Sequence, residues 1–360
     1  MKQEISLTRT TNSRLSAVDF NNIPFGRIFS DHMFVAEYED GIWQNPRIVP
    51  FDSFSMHPCA MVLHYGQAIF EGMKASINQD GVPLLLRPHL HAERFNNSAR
   101  RMCMPTIPDD LFLEAVHKLV GLDKDWIPPV EGSALYIRPV MFATEAHVGV
   151  RPAAKYTFII LTSPVGPYYP RPVSLVAETH YIRAAHGGVG EAKTAGNYAA
   201  AMLPVLKAQE EGYDQVLWLD ANEHKYVQEV GTMNIFFVID GTVVTPAADG
   251  AILKGITRKT IMELLRDKGY KVEERKVTIH ELLDAYKAGK LDEAFGSGTA
   301  AVVAYINKIA YKDEVMEFDH DFDQTIGGQV KKIINGMRAG TIQDTHDWMV
   351  PVEVPAELDA

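Results

Sequence analysis

The sequence predicts a two-domain protein of mixed structure, in the α+β or α/β class. Three observations carry that reading. At 360 residues the chain is long for one domain. Strand-like apolar runs alternate with helical ones along most of its length. One segment, "TSPVGPYYPRPVSL", gathers Pro164, Pro167, Pro170 and Pro172. Prolines this dense disfavour both helix and central strand. We therefore expect an interdomain linker over 162–175, a small N-terminal domain over 1–161 and a large C-terminal domain over 176–360.

In the N-terminal part, "HMFVAEYED" and "KASINQDGVPLLLR" read as strands, the second folded back at Asp80-Gly81. "PHLHAERFNNSARRM" reads as a helix with Pro88 at its first position, where a missing N–H costs nothing. "ALYIRPVMF" and "YTFIIL" are strands. Past the prolines, "YAAAMLPVLKAQEEG" predicts a helix with Pro204 as a kink or break. "QVLWLD", "YVQEV", "MNIFFVID" and "TVVTP" follow as strands, with Asp240-Gly241 as a hairpin turn. "GITRKTIMELLRDKGY" is a helix with Ile261, Leu264 and Leu265 on one face and Gly269 closing it. "KVEERKVT", the helix "IHELLDAYKAG" and the strand-like "DEAFGSGTAAVVAYI" complete the second part.

Composition narrows the function. Lys plus Arg number 35 against 46 Asp plus Glu, a formal charge of −11, which repels a phosphate backbone and argues against nucleic acid. The longest apolar run, "AAVVAYI", is far short of a membrane span, and "MKQEISLTRTTNSRL" lacks the apolar stretch of a signal peptide. Cys59 and Cys103 suggest no disulfide framework. A soluble cytoplasmic protein without membrane or nucleic-acid partners is expected. "DHDFD" lacks the glycine a calcium loop needs, and His89 and His91, two apart on a helix, have poor metal geometry.

The chemically informative stretch is "GGVGEAKTAGNYA", which sets Lys193 among glycines and small residues. Lys193 could cradle a phosphate, form a covalent imine with an aldehyde, or lie in a surface loop. The first reading nearly matches G-x-x-x-x-G-K-[ST] but has Ala192 before the lysine, whose Cβ obstructs backbone wrapping of a phosphate. It also needs a parallel sheet, whereas Asp240-Gly241 closes an antiparallel hairpin. The imine reading suits apolar surroundings that favour a deprotonated amine. A pyridoxal phosphate enzyme further needs an acid for the pyridine nitrogen and donors for the phosphate. Glu229, in "YVQEVGTMNIFFVI", is either that acid or an outward-facing strand residue. Gly255 and Thr257, in "LKGITRKT", stand at a helix start that favours anions. Gly296, Gly298 and Thr299, in "FGSGTAA", offer a second anion-binding turn or a purely structural one.

Taken in order, "HYGQAIFEGMKA", "LRPHLHAERFNNSARRM", "RAAHGGVGEAKTAGNYA", "EVGTMNIF", "LKGITR", "FGSGTA" and "HDWMVPV" resemble the branched-chain amino acid aminotransferases, fold-type IV pyridoxal phosphate enzymes. The likeness spans about Phe25 to Val352. It implies Lys193 as the residue that bonds the cofactor and moves a proton at the substrate α-carbon. Tyr198 would partner the phenolic oxygen and Glu229 the pyridine nitrogen. Arg94, Arg183, Thr232, Leu253, Gly255, Ile256, Thr257 and Thr299 would complete the cofactor site. Phe25, Tyr65, Tyr136 and Tyr168 would form an apolar substrate pocket, with the α-carboxylate at Thr299 and Ala300 and the distal carboxylate of glutamate at Arg138. The resemblance implies amino acid and 2-oxo acid substrates and a homodimer. Some members carry a Cys-x-x-Cys pair after the Gly-Thr-Ala turn; here those positions are Ala301 and Ala304, which excludes thiol switching there. Rival readings are a D-amino acid aminotransferase or an aminodeoxychorismate lyase of the same fold, a nucleotide-binding ATPase, and a catalytically silent paralogue.

Overall fold

The computed structural model describes residues 4–166 and 171–352. They fall into two compact units, one of residues 4–166, 192–195 and 335–352, the other of residues 171–191 and 196–334. The expected boundaries therefore need correction. The C-terminal segment from 335 and a short piece around Lys193 belong with the N-terminal unit.

Among its described residues the first unit holds a nine-stranded sheet. Its path runs Ser6–Leu7, Ile42–Pro50, His32–Glu39, Tyr156–Val165, Ala134–Ala143, Met73–Ile77, Pro83–Leu86 and Met349–Pro351, with Ala68–Phe70 pairing Ala134–Ala143. The linker expectation fails at its start, because Thr162 to Val165 continue the strand Tyr156–Val165. Pro164 is tolerated there because pairing with His32–Glu39 has ended at Met33 opposite Leu161, which leaves one neighbouring strand. The bend at Asp80-Gly81 is a five-residue loop, in which Asn78 accepts from the N–H groups of Asp80, Gly81 and Val82.

The helix Pro88–Arg101 begins on proline, as its sequence predicts, and turns His91, Ala92, Phe95, Ser98 and Ala99 inward at three- and four-residue spacing. Phe95 packs with Phe112 of the helix Asp109–Leu122 and with Phe158 of the sheet, all three fully buried. Truncating Phe95 to alanine there would cost about 3–5 kcal/mol.

The second unit also holds a nine-stranded sheet among its described residues. The path runs Val227–Val230, Gln215–Leu219, Val173–Ala177, Val302–Tyr311, Leu291–Gly298, Asn234–Ile239, Thr242–Pro246 and Val272–Arg275, with Glu314–Glu317 beside Val302–Tyr311. A bridge between Val230 and Met233 ties the first of these strands back to the sixth. Val173–Ala177 shows that the far end of the expected linker is also strand. Asp240 and Gly241 both take positive φ, as a two-residue hairpin between Asn234–Ile239 and Thr242–Pro246 requires. The run "DEAFGSGTAAVVAYI" is two antiparallel strands, turned at residues 299–301. Pro204 stays within the helix Ala195–Glu210. Thr278 caps the helix Ile279–Lys287 by accepting from the N–H of Glu281.

Candidate active site

Lys193 lies in the first unit, where neighbours hold its backbone on both sides. Phe70 N–H donates to the Lys193 carbonyl at 3.0 Å, and Lys193 N–H donates to Ser98 Oγ at 2.9 Å. The Thr194 hydroxyl donates to the Ala68 carbonyl at 2.7 Å. Ser98 Oγ donates in turn to the carbonyl of Arg94, one helical turn earlier, at 3.0 Å. The peptide of Lys193 is thus pinned, and Nζ lies 4.7 Å from the centre of the Phe70 ring.

The same strand end leads to a buried carboxylate. Glu71 is fully enclosed; its Oε1 accepts from Arg94 Nε at 2.6 Å, and its Oε2 from Arg94 Nη2 at 2.9 Å and His91 Nδ1 at 2.8 Å. Burial alone would raise its pKa, but the Arg94 guanidinium and the His91 hydrogen bond outweigh it and hold Glu71 well below the usual carboxylate range. Burial, assisted by Arg94 and Lys193, keeps the His91 imidazole neutral against the pull of Glu71.

Next in sequence is Gly72, where a Cβ would collide with the Tyr136 hydroxyl. Tyr136 OH accepts from Arg138 Nη2 at 3.0 Å. The Arg138 guanidinium lies 4.7 Å from the centre of the Phe70 ring and 5.2 Å from that of Tyr136. Its Nε is buried and has no hydrogen-bond partner among the described residues. Phe25 meets Tyr136 edge-on at 5.6 Å. Of the expected pocket residues, the structure gathers Phe25, Tyr136 and Arg138. Tyr65 ends the helix Met61–Tyr65 with its ring beside His64, and Tyr168 is outside the described residues.

In the second unit the centre is Glu229, 3% exposed on the strand Val227–Val230. Its Oε2 lies 2.5 Å from Arg183 Nε, and its Oε1 accepts from Asn234 Nδ2 at 2.9 Å and from Leu253 N–H at 3.0 Å. Arg183 also donates to the carbonyls of Ala251 at 2.9 Å and Gly190 at 3.2 Å, so it fixes both the acid and the glycine loop before Lys193. A Cβ on Gly190 would strike Ala251 and Ala184, which explains that glycine. Arg183, Asn234 and the Leu253 N–H together orient this carboxylate, a poor match to an outward-facing strand residue.

Gly255 precedes the helix Ile256–Asp267, and no side chain caps the first turn, which leaves the N–H groups of Ile256 and Thr257 available to an acceptor such as an anion. Gly255 is required because Asn234 Oδ1 occupies the place of its Cβ. Thr299 and Ala300, both half-buried, form the turn between Leu291–Gly298 and Val302–Tyr311. Tyr198 is half-buried on the helix Ala195–Glu210, and Thr232 is exposed in the turn before Asn234.

The residue profile of the family described as Amino-transferase class IV matches residues 68–309. The chain belongs to the class IV aminotransferases. It is 44% identical over 361 residues to "Branched-chain-amino-acid aminotransferase 2" of Bacillus subtilis, covering 99% of each sequence. Its fold is similar to the solved branched-chain amino acid aminotransferase of Escherichia coli, with a TM-score of 0.74 and 25% identity over 90% of this chain and 99% of that one. It is also similar to that of Thermoproteus uzoniensis, solved with norvaline, at TM-score 0.73 and 26% identity, covering 89% of this chain and 100% of that one.

Sequence reasoning about this class IV aminotransferase missed Phe70, Glu71, His91 and Asn234. An available signal was Glu71, an acid inside the apolar run "QAIFEGMKA".

Proposed function

We propose that this class IV aminotransferase exchanges the amino group of L-leucine, L-isoleucine or L-valine with 2-oxoglutarate, using pyridoxal 5′-phosphate. The observation that carries the substrate reading is the setting of Arg138, a cation flanked by Phe70 and Tyr136 with one buried nitrogen that has no partner among the described residues. Aromatic walls favour an aliphatic side chain by about 0.8 kcal/mol per buried CH₂. The guanidinium in the same walls allows a second substrate that ends in a carboxylate.

The residues suit the cofactor. Glu229, held by Arg183, Asn234 and the Leu253 N–H, is the acid proposed to pair with a protonated pyridine nitrogen. In the second unit the uncapped N–H groups of Ile256 and Thr257, with Gly255 before them, suit a phosphate, and Arg94 of the first unit is proposed as a phosphate ligand in its own right. When bound, the cofactor supplies an electron sink for negative charge at the substrate α-carbon. Lys193 would bond the cofactor and would carry the proton to and from the substrate α-carbon. Tyr198 would hydrogen-bond the phenolic oxygen, while Thr232 and Leu253 complete the surroundings. Phe25, edge-on to Tyr136, would extend the apolar wall, and Thr299 and Ala300 would receive the α-carboxylate.

A second copy of the chain is the proposed partner. In the first unit Leu63, Val148 and Val150 are exposed, the last at 90%; in the second, Met202, Leu203 and Leu206 are exposed on one helix. Apolar side chains left open in this number suit burial between subunits. The cytoplasm is the proposed compartment: both cysteines are free, and no described helix is long and apolar enough to cross a membrane.

The test is an absorption spectrum of the purified protein before and after L-leucine. A visible band that shifts with leucine and returns with 2-oxoglutarate is expected. A colourless protein that cannot take up pyridoxal 5′-phosphate would overturn the reading.

A further inference from the structure

The Glu71–His91 pair has no part in the roles assigned so far. We propose that these two are positioning residues, which fix the Arg94 guanidinium in place for a phosphate ester before the ester arrives. The inference rests on the reading of Arg94 as a phosphate ligand.

Glu71 has no access to water, so its oxygens are served only by the protein. Oε1 accepts from Arg94 Nε, while Oε2 accepts from Arg94 Nη2, from His91 Nδ1 and, at 3.1 Å, from the N–H of Gly72. Two of these bonds hold the guanidinium side-on in a planar fork, which sets the direction of the whole group. The other two come from outside Arg94: a main-chain N–H and a buried imidazole on the same helix. The carboxylate is therefore anchored independently of the arginine it orients. A long, flexible side chain loses its rotamer freedom at this point, ahead of ligand binding. His91 faces Glu71, Arg94 and Lys193, and stays a neutral donor among those charges. Phe70, directly before Glu71, is bonded to Lys193, so one short stretch fixes both the amine and the arginine.

A different role would suit the same contacts: Glu71 could serve only to neutralise Arg94. The two roles predict opposite signs. Removing a mere neutraliser makes Arg94 more attractive to a dianion, whereas removing a positioning residue lets the guanidinium wander and weakens the bond.

The experiment titrates cofactor-free protein with pyridoxal 5′-phosphate and, separately, with pyridoxal, which has the same aldehyde and ring without the phosphate. Glu71→Gln should weaken pyridoxal 5′-phosphate by about tenfold or more, and pyridoxal by less than about twofold. His91→Ala should weaken the phosphate-bearing ligand in the same direction by about threefold, and His91→Asn, which keeps a donor at the Nδ1 position, should restore it. Tighter or unchanged pyridoxal 5′-phosphate binding in Glu71→Gln overturns the proposal, as does an equal loss for both ligands. Circular dichroism checks that each variant is folded; if Glu71→Gln is not, the His91 variants decide alone, and failure of His91→Asn to restore binding overturns the proposal. Arg94→Gln separates the underlying reading. If it fails to discriminate between the two ligands, Arg94 is no phosphate ligand and both ideas fall. If it discriminates and Glu71→Gln does not, only the positioning role falls.

Discussion

Phe70 gives its N–H to the carbonyl of Lys193 at 3.0 Å and sets its ring 4.7 Å from the same residue's Nζ. One residue thus fixes the backbone of Lys193 and bounds the reach of its amine. Phe70 also supports the Arg138 guanidinium at 4.7 Å. The tripeptide Phe70-Glu71-Gly72 therefore connects Lys193 and Arg138, Arg94, and Tyr136 in that order, within the first unit.

Lys193→Ala should abolish transamination while the fold persists. Its side chain is half-buried and the main-chain bonds that pin the segment do not involve Nζ. On the proposed reading the same amine would both hold the cofactor and carry the proton, so no other group would replace it. Turnover near the wild-type value, measured without added amine, would show that Lys193 has another role.

Glu229→Gln should lower the rate by at least about tenfold, equivalent to ~1.4 kcal/mol of barrier. A neutral amide cannot hold the pyridine proton. It also strands Arg183, whose side chain is 7% exposed, and breaking a buried pair costs about 3–5 kcal/mol. Thermal unfolding should therefore shift down together with the rate. A rate within about threefold of wild type would reduce Glu229 to a strand residue.

What was legible in the sequence follows physical range. Pro88 at a helix start and Asp240-Gly241 at a hairpin act over a few residues and read correctly. Lys193 stands out by its glycine-rich neighbours and Gly255 by its place at a helix start, whereas Glu229 reads equally well as an outward-facing strand residue and is singled out only through the resemblance. Glu71 with Arg94 did not: the partners are 23 residues apart, and nothing local says that a strand-end acid meets a helix arginine. Arg183 likewise showed its basicity and not its hold on Glu229. Pro164 misled because whether a proline breaks a strand depends on how many neighbours that strand has, which is a property of the sheet.

Stability should fall as pH drops below neutrality, with His91 as one cause. Its folded pKa is depressed below the ordinary 6.5, first by burial and then by Arg94 and Lys193, against the pull of Glu71. A depressed pKa gives stability that is present above 6.5 and lost below it, because only the unfolded chain accepts the proton. The slope is at most about 1.4 kcal/mol per pH unit for one group. Glu71, also depressed, adds loss in the same direction below its ordinary 4.5. His91→Asn should flatten the fall in Tm between about pH 6.5 and 5. Parallel Tm curves for variant and wild type would exclude His91 as the cause.

Gly72→Ala should leave the cofactor bond intact and impair substrate binding. A Cβ there collides with the Tyr136 hydroxyl and must displace the ring, at about 1–3 kcal/mol. Tyr136 would then give up both its contact with Phe25 and the bond it accepts from Arg138. The visible cofactor band should be unchanged while KM for leucine rises. A normal KM would place Tyr136 outside the substrate wall.

Arg138→Met tests how one pocket accepts both leucine and glutamate. Burying an unpaired carboxylate against Phe70 and Tyr136 would be prohibitive, so glutamate needs a cation within those walls. Arg138 is placed there, with Nη2 held by Tyr136 and Nε buried without a partner among the described residues. The aliphatic chain of leucine has no use for that charge, and methionine preserves most of the volume and the apolar contact. Arg138→Met should therefore slow the glutamate and 2-oxoglutarate half-reaction by about 10²-fold, or ~2.7 kcal/mol, while leucine stays within about threefold. Single-turnover spectra with each substrate separate the two. Equal losses would mean that Arg138 supports the aromatic wall and takes no part in choosing the substrate.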